Sequence, residues 1–458
     1  MERELRKLQL NQESVATPLD PPANVAAPVR ARLWHQRSGR LLVSLADQGV
    51  CSATNFLTSV LVGRSVSETA FGMFGVALFT WLMLTEVGNA LVSTPHQVLS
   101  PRYKGDELRR FHGSNLLASL AIGVLTMLLL AAGGATVWAT GDHAMGQTLL
   151  ALSLAIGAIL TRQFTRQFSF SVHNQLLALA VDSVVALVQL GVLGLLFVTH
   201  TISPVRAVLV IGLANGAAMG VFLLAARHQF KLSVRHAKED ARRIWPIAKW
   251  LVLSGLVWTV GVHGYGPLVL ILSGKANAGA WTACFGIAAL ANPLLMGLQN
   301  LVGPSIARAY TNRPADGFRR YVVKCSVGLG VAMLPFAIFL VFFGDFVVRI
   351  FGDHYAGNGL VVGILGVSML THAIGFAAAR GLMAIHQTRH DVVGNVLALL
   401  AMVVAGVPLI ITHGVVGAAV SFVVGVVLGN GYRVLAFYQS TQAPRDVEAP
   451  MPLVGGAT

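Results

Sequence analysis

LLVSLADQGVCSATNFLTSVLVG (residues 41–63) is an apolar run long enough for one membrane-crossing helix, and FGMFGVALFTWLMLTEVGNALV (residues 71–92) follows after a short polar gap. A helix needs about 20 apolar residues to cross roughly 30 Å of hydrocarbon. Ten further apolar runs follow along the chain, most of them of this length. The twelve predicted spans are residues 41–63, 71–92, 116–138, 147–161, 176–198, 205–226, 250–273, 280–302, 325–348, 358–379, 392–412 and 414–437.

The composition agrees with this pattern. Hydrophobic residues make up 55% of the chain and charged residues only 11%, and the mean hydropathy is +0.69. Soluble proteins carry about 25% charged residues. The sequence therefore predicts an all-α integral membrane protein with about twelve transmembrane helices.

The basic residues are concentrated in every second gap between the spans. Of the 33 Lys and Arg residues, 29 fall before the first span, in the even-numbered gaps or, as Arg433 and Arg445, at the end of the chain. The four on the other side are Arg64, Arg206, Lys275 and Arg349. By the positive-inside rule, both termini are expected in the cytoplasm. The net charge of +14 then reflects topology, and the sequence predicts no nucleic-acid partner.

The longest gap between spans divides the predicted helices into two groups of six. At an offset of 211 residues the halves align, with Phe74 over Phe285, Asn89 over Asn300 and Arg64 over Lys275. Repeats of the same orientation are related by a pseudo-two-fold axis along the membrane normal. The predicted organisation is a disordered cytoplasmic tail (1–40), an N-terminal six-helix bundle (41–226), a basic cytoplasmic linker (227–249), a C-terminal six-helix bundle (250–437) and a second disordered tail (438–458).

Polar residues form stripes on the first two helices, and these stripes are expected to face inward, because unpaired amides are costly in hydrocarbon. The first stripe consists of Ser44, Gln48, Ser52, Asn55 and Ser59, and the second of Glu86, Asn89, Ser93 and Gln97 with His96 beside it. Gln48, Asn55, Glu86 and Asn89 are the candidates for lining a substrate path. Hydrogen-bonded helix packing is the alternative interpretation.

Ionisable residues inside the spans are further candidates, since charges at this depth usually mark a pathway. Asp47, Glu86 and Asp182 are candidate ion-coupling carboxylates. Arg162 and Arg166 lie one helical turn apart, a spacing that suits bidentate binding of a phosphate or pyrophosphate. Both arginines could equally be interfacial anchors, and Asp182 could pair with one of them.

His263 and His372 lie within predicted spans and are candidates for cavity contacts, with buried packing as the alternative. Cys51, Cys284 and Cys325 show no CxxC spacing and no nearby histidine at ligand spacing. The sequence therefore predicts neither a disulfide framework nor a metal site, and no cofactor.

Three stretches resemble one known group of proteins. They are SLADQGVCSATNFLTSVLVGRSVSETAFGMFGVALF (44–79), FGDHYAGNG (351–359) and HGVVGAAVSFVVG (413–425). All three resemble Wzx-type O-antigen and polysaccharide flippases of the multidrug/oligosaccharidyl-lipid/polysaccharide (MOP) exporter superfamily. The resemblance implies two six-helix bundles in a V shape that move an undecaprenyl-pyrophosphate-linked oligosaccharide across the bacterial inner membrane. It also implies a polysaccharide polymerase and glycosyltransferases as candidate partners. Such flippases often have basic residues in the central cavity, whereas most mid-membrane charges found here are acidic or His.

Two other functions are weighed against this one. A drug/cation antiporter of the same superfamily would use Asp47, Glu86 and Asp182 as coupling carboxylates. A membrane-bound glycosyltransferase or polymerase would need catalytic groups in a sizeable outer loop, but Glu68, Asp142 and Asp353 are isolated in short gaps. The sequence contains no GxxxxGK[ST] motif for ATP binding, so a non-enzymatic transporter is expected.

Overall fold

The computed structural model describes residues 27–172 and 174–442, and within these ranges the ordered elements are all helical, with no β-strand. This confirms the predicted all-α fold. The helices of the first half are α1 (Ala27–Ser65), α2 (Glu68–Gly88), α3 (Thr94–Leu99), α4 (Gly105–Ala139), α5 (His143–Ser171), α6 (Gln175–Val198) and α7 (Pro204–Ala226). Those of the second half are α8 (Val234–His263), α9 (Tyr265–Ala288), α10 (Asn292–Asn312), α11 (Ala315–Val348), α12 (Gly359–Ala384), α13 (Arg389–Ala401) and α14 (Val407–Gln442).

Short segments of other helical types join these elements. The π-helical turns are Asn89–Ser93 between α2 and α3 and Met402–Gly406 between α13 and α14. The 3₁₀ turns are Ser100–Arg102, Arg227–Gln229, Ala289–Ala291, Arg349–Phe351 and Asp353–Tyr355.

Polar side chains fix the start of several helices. The hydroxyl of Ser67 accepts a hydrogen bond from the Ala70 amide, and the carboxylate of Asp142 accepts one from the Met145 amide at 3.2 Å. Asn174 caps α6 in the same way, at 3.1 Å from the Leu177 amide. Serine, aspartate and asparagine favour this position because their oxygens satisfy amides that have no partner inside the helix.

Nine helical stretches of the described chain are long and apolar enough to cross a membrane. Two of them are more than twice as long as one crossing requires: Leu251–Asn312 has 62 residues and Arg389–Gln442 has 54, whereas about 20 suffice. Each contains a glycine with a non-helical backbone, Gly274 (φ 88°) in the first and Gly414 (φ 56°) in the second. The predicted number of twelve crossings stays a prediction.

The ends of the predicted bundles differ in detail from the observed helices. Helix α1 begins at Ala27, inside the segment 1–40 that the composition assigned to a disordered tail, and residues 1–26 lie outside the described chain. Pro28 stands in the first turn of α1, where its missing N–H costs nothing. At the other end α14 continues to Gln442, and residues 443–458 are not described.

The linker between the halves is partly helical. After the 3₁₀ turn Arg227–Gln229, α8 starts at Val234 and runs through the predicted boundary at residue 249 without interruption. The Lys231 amide donates to the Arg109 carbonyl at 3.0 Å, and its ammonium pairs with Asp106 at 3.0 Å. The linker is therefore attached to the start of α4.

Helices pack mainly within their own half. In the first half α5 packs on α4 and α7, and α6 packs on α1 and α7; in the second half α12 packs on α11 and α14, and α14 packs on α13. The halves meet chiefly where α2 lies along α9. Glycines bring these two backbones together: a β-carbon at Gly72 would lie 3.0 Å from the Gly279 nitrogen, and one at Gly75 would lie 2.9 Å from the Thr282 β-carbon. We call this contact the α2–α9 seam.

The seam is at one end of the molecule, which we call the Lys275 end. The Lys275 end contains the helix connections near Gly63, Asp142, Gly274, Phe351 and Gly414, which are joined by direct contacts. Phe351 of the second half packs against Phe71 of the first, with ring centroids 5.7 Å apart, and both side chains are fully buried. Tyr355 packs on Phe71 at 5.8 Å. The two halves are therefore tightly closed against each other at this end.

Candidate functional site

A group of buried charges lies where α1, α5 and α6 meet. Asp47 and Cys51 are one turn apart on α1, Arg162 and Arg166 are one turn apart on α5, and Asp182 is on α6. Residues four apart project from one face of a helix, so each pair points toward the same junction. We call these five residues the buried charge cluster.

Asp182 is the central acceptor of the buried charge cluster. Both arginines pair with it: Arg162 through Nη2, and Arg166 through Nε at 2.8 Å. The thiol of Cys51 donates to the same carboxylate at 2.8 Å. Arg166 also donates to Asp47 at 2.6 Å through Nη2. The cluster therefore joins three helices of the first half through side chains distant in sequence.

The electrostatic balance of the cluster is neutral, with two guanidiniums against two carboxylates. Both carboxylates are fully buried, whereas the side chains of Arg162 and Arg166 keep 12% and 15% of their surface exposed. A buried charge needs a partner, because removing an ion from water is costly. The cluster satisfies this requirement and leaves a small part of each arginine side chain exposed.

The guanidiniums of Arg162 and Arg166 have the chemistry to bind an oxyanion. A guanidinium offers paired N–H donors in a planar fork that matches both carboxylate and phosphate oxygens. In this structure the forks are directed at Asp47 and Asp182. Arg162 and Arg166 thus lie together beside carboxylates. Contact of either arginine with a phosphate stays a prediction.

On α1, the predicted polar stripe borders the cluster. Gln48 and Ser52 are half-buried and hydrogen-bonded to each other at 3.4 Å, and Asn55 is exposed. The neighbouring face carries a second polar row, Asp47, Cys51, Thr54 and Thr58, which the sequence did not reveal as a row; Cys51 is half-buried and the other three are buried. Thr58 accepts a hydrogen bond from Gln189 of α6 at 2.7 Å. Spacings of 4, 3 and 4 residues were the available signal for this row.

The stripe on α2 leads to a small pocket. Asn89 donates to Glu86 at 3.4 Å, and both side chains are half-buried. Asn89 begins a π-helical turn, beside which a small pocket of about 10 Å³ is lined by polar and apolar residues of three helices, among them Thr85, Ser119 and Gln163. Within the described chain, Thr85 Oγ1 and Asn89 Oδ1 are buried without a hydrogen-bond partner. This pocket can accommodate water or another small polar species.

The remaining candidates lie apart from the cluster. His263, at the end of α8, packs edge-on against Trp258 at 6.1 Å and lies 6.2 Å from Phe79. His372 is exposed on α12. Neither is a hydrogen-bond partner of the buried charge cluster among the described residues. A cavity role for either histidine stays a prediction.

A second polar group, in the other half, was missed by sequence reasoning. Arg433 of α14 donates to Asp391 at 2.8 Å, to Asn395 at 2.5 Å and to Asn430 at 2.9 Å. Asn430 also donates to the carbonyl of Thr371 on α12, at 3.3 Å. Arg433 was counted in the sequence only as part of the basic bias, although its spacing of three residues from Asn430 places both on one face.

The three cysteines are free thiols. Across residues 27–172 and 174–442, no group of three or more histidine, cysteine or acidic side chains is placed to hold a metal ion.

Comparison with solved structures identifies the type of fold. The structure is similar to an inward-facing multidrug resistance MATE family transporter of the MOP superfamily, with a TM-score of 0.71 and 13% identity over 87% of this chain and 96% of that one. It is also similar to the lipid II flippase MurJ in an inward closed conformation, with a TM-score of 0.72 and 13% identity over 87% of each chain. An outward-facing MATE transporter gives a TM-score of 0.58 at 14% identity, over 88% and 94% of the two chains.

No protein-family model and no curated protein sequence matches the chain. At this level of identity the likeness is one of fold, and the fold is that of MOP-superfamily transporters. Together with the nine described helical stretches that are long and apolar enough to cross a membrane, this fold indicates a multi-pass membrane protein.

Proposed function

We propose that this protein moves a lipid-linked oligosaccharide, carried on undecaprenyl pyrophosphate, across the bacterial inner membrane by alternating access between its two halves. Both termini would lie in the cytoplasm, because 29 of the 33 basic residues fall on that side of the predicted spans. Polysaccharide polymerase and glycosyltransferases are the proposed partners.

The pair of buried guanidiniums in the first half supports this proposal most directly. Arg162 and Arg166 lie on one face of α5, near the end that the basic bias assigns to the cytoplasm. Their partners are carboxylates, and a pyrophosphate presents the same paired oxygens with more charge. An incoming diphosphate would therefore compete with Asp47 or Asp182 as the acceptor, and a displaced buried carboxylate would need a proton or another partner.

An oligosaccharide needs more room than the pocket beside Asn89 offers. Binding pockets for drug-sized ligands have volumes of about 300–1,000 Å³. The pocket beside Asn89 has about 10 Å³, room for about one water molecule. An oligosaccharide would pass between the halves, which are closed at the Lys275 end in this structure, and the exposed face of α1 at Asn55 would border its path.

The alternative function is a drug/cation antiporter, and Glu86 favours it. A cation needs a carboxylate that is not already neutralised, and Asp47 and Asp182 are each paired with arginine. The hydrogen-bond donor to Glu86 in the described chain is the neutral side chain of Asn89. Glu86 is therefore the carboxylate that an antiporter of this sequence would use.

Reconstitution tests the proposal. Purified protein in vesicles that contain an undecaprenyl-pyrophosphate-linked oligosaccharide should expose the lipid to an external glycosidase or lectin faster than protein-free vesicles do. Arg162→Lys and Arg166→Lys should each slow this movement, since an ammonium cannot reproduce the planar fork.

Arg235→Lys provides the matched control, because Arg235 is 88% exposed and pairs with Glu239 on the same helix. It should transport at the wild-type rate. Two results would overturn the proposal: no acceleration by the wild-type protein, or full activity in both lysine variants at the cluster. Dye efflux that disappears in Glu86→Gln would instead establish the antiporter.

A further inference from the structure

A short motif occurs once in each half of the chain. Gly141, Asp142 and His143 are repeated as Gly352, Asp353 and His354, at the same offset of 211 residues that places Arg64 over Lys275. Both glycines have positive φ, 100° and 138°. The repeat is thus visible in the backbone as well as in the sequence, and it places an aspartate and a basic residue at equivalent positions in both halves.

One of the two possible pairs across the halves is formed. Asp142 of the first half lies 2.6 Å from the ammonium of Lys275 in the second half. The other oxygen of Asp142 caps α5 through the Met145 amide, so each carboxylate oxygen has its own partner. Lys275 follows Gly274, and its carbonyl lies against Gly72 in the α2–α9 seam.

The equivalent pair is open. Arg64 and Asp353 are both exposed, and neither has an ion-pair partner within the described chain. Their neighbours are nevertheless in contact, since a β-carbon at Gly63 would lie 2.8 Å from the Phe351 ring. Of the two repeat-related pairs, Asp142 and Lys275 therefore form an ion pair, whereas Arg64 and Asp353 do not.

The charge distribution gives a second, independent argument. Only four basic residues of the sequence fall on this side of the predicted spans, and two of them are Arg64 and Lys275. The topological bias acts against basic residues here. Their presence at the repeat-related positions, opposite repeat-related aspartates, requires a local reason, and pairing between the halves provides one.

We propose that Asp142 and Lys275 form an ionic latch that holds the two halves together at the Lys275 end, and that Arg64 and Asp353 are its two-fold counterpart, open in this conformation. The latch rests on the proposed function in one respect: alternating access would have to break it once per cycle. Its effect on the closed state does not depend on which substrate is moved.

The test measures the separation of the halves directly. Spin labels at His200→Cys and Ala356→Cys, both exposed residues in connections at this end on opposite halves, report distances by electron paramagnetic resonance. The full-length protein is used in lipid nanodiscs without substrate, with Cys51, Cys284 and Cys325 replaced by alanine. Asp142→Asn keeps the helix cap, because asparagine caps as well as aspartate, and removes the charge.

Asp142→Asn and Lys275→Gln should each raise the ratio of separated to closed halves about two- to fivefold, the effect of a partly exposed ion pair. The double variant should be no more open than either single variant, because both remove the same interaction. Asp353→Asn is the matched control, the same substitution in the same motif, and should leave the distances unchanged.

Equal opening in Asp142→Asn and Asp353→Asn, or additive effects in the double variant, would refute the latch. So would unchanged distances in Lys275→Gln, a substitution that leaves the cap of α5 intact. The measurement uses no substrate, so these results leave the proposed transport untouched. Conversely, vesicles without transport activity would refute the proposed function even where the distances behave as expected.

Discussion

Asp182 accepts hydrogen bonds from three side chains on two other helices, and this makes it the most heavily committed carboxylate of the buried charge cluster. Its side chain is fully buried. Arg162 and Arg166 depend on it for charge balance, and Asp47 neutralises only one of them. The stability of the first half should therefore depend on this single carboxylate.

We predict that Asp182→Asn lowers the free energy of unfolding by about 3 kcal/mol, since removing one partner of a buried pair leaves a charge without compensation. Thermal or denaturant unfolding in detergent measures the change. Asp316→Asn removes an exposed partner of Arg319, 3.1 Å away, and should cost less than about 1 kcal/mol. Equal losses in the two variants would show that the cluster contributes no more than a surface pair.

The Asp142–Lys275 pair should be insensitive to pH over the physiological range. The Lys275 ammonium holds the pKa of the Asp142 carboxyl below its ordinary value of about 3.9. The stabilisation is therefore fully present above this value and is lost only as the pH falls through the lower, folded-state pKa. The neighbouring His143 also lowers the pKa of this carboxyl.

The spin-label distances at the Lys275 end should accordingly be the same at pH 8 and pH 5. Separation of the halves between these values would contradict this assignment and would indicate a different titrating group at the interface.

At the level of single residues, the sequence identified the charges and offered Asp182 as a partner for one arginine, but it did not give the other partners. Asp47, Arg162, Arg166 and Asp182 were recognisable because ions are rare inside apolar runs. Cys51 was not, although it donates to a carboxylate 131 positions away. No local pattern contains that information, because the contact exists only when α1 and α6 pack together.

Among the secondary-structure elements, the α2–α9 seam has the strictest steric requirement. Gly72 and Gly279 allow backbone to approach backbone, and the carbonyl oxygens of Lys275 and Glu68 occupy the places where β-carbons would be. Small residues at such contacts allow helices to approach closely without side chains between them.

We predict that Gly72→Ala shifts the molecule away from the closed arrangement at the Lys275 end, because the new methyl group would overlap the Lys275 carbonyl. The same pair of spin labels reports the shift. Gly133→Ala on α4 is the control, since nothing lies within 4 Å of the β-carbon position there, and alanine favours a helix over glycine by up to about 1 kcal/mol. An unchanged distance in Gly72→Ala would mean that the seam can adjust without opening.

The positions of the helices were predicted better than their ends and their helical type. The apolar runs indicated most of the helices, because length and hydropathy are local properties of the chain. They did not indicate that α1 starts at Ala27, or that π turns begin at Asn89 and Met402. Such features depend on packing against neighbouring helices, to which a hydropathy pattern is insensitive.

For the whole molecule, we expect the membrane potential to drive the proposed transport. Outward movement of an anionic lipid pyrophosphate from a negative cytoplasm is favoured by about 2.3 kcal/mol per charge for each 100 mV that it crosses. We predict that vesicles with a potassium diffusion potential move the lipid faster when its side is negative, and more slowly when the potential is reversed.

Protein-free vesicles under the same potentials are the control for this experiment. Rates that are equal for both signs of the potential, and unaffected by sodium or proton gradients, would contradict electrogenic export and leave downhill equilibration.

The overall architecture was the most predictable property of the chain. The offset of 211 residues was found from matches such as Phe74 with Phe285, and the GDH motif at Asp142 and Asp353 follows it too. The number of crossings is less accessible, since Leu251–Asn312 and Arg389–Gln442 are each one long helical stretch that contains a glycine with a non-helical backbone.

The cap that Asp142 provides for α5 has a consequence for the speed of closure. Its bond to the Met145 amide fixes the carboxylate in one rotamer regardless of where Lys275 lies. Re-forming the pair therefore immobilises a single flexible side chain, at a conformational entropy cost of at most about 2 kcal/mol. The Asp142 carboxylate is therefore already ordered when the two halves come together again. Re-forming the ion pair then depends on how far the Lys275 side chain can extend.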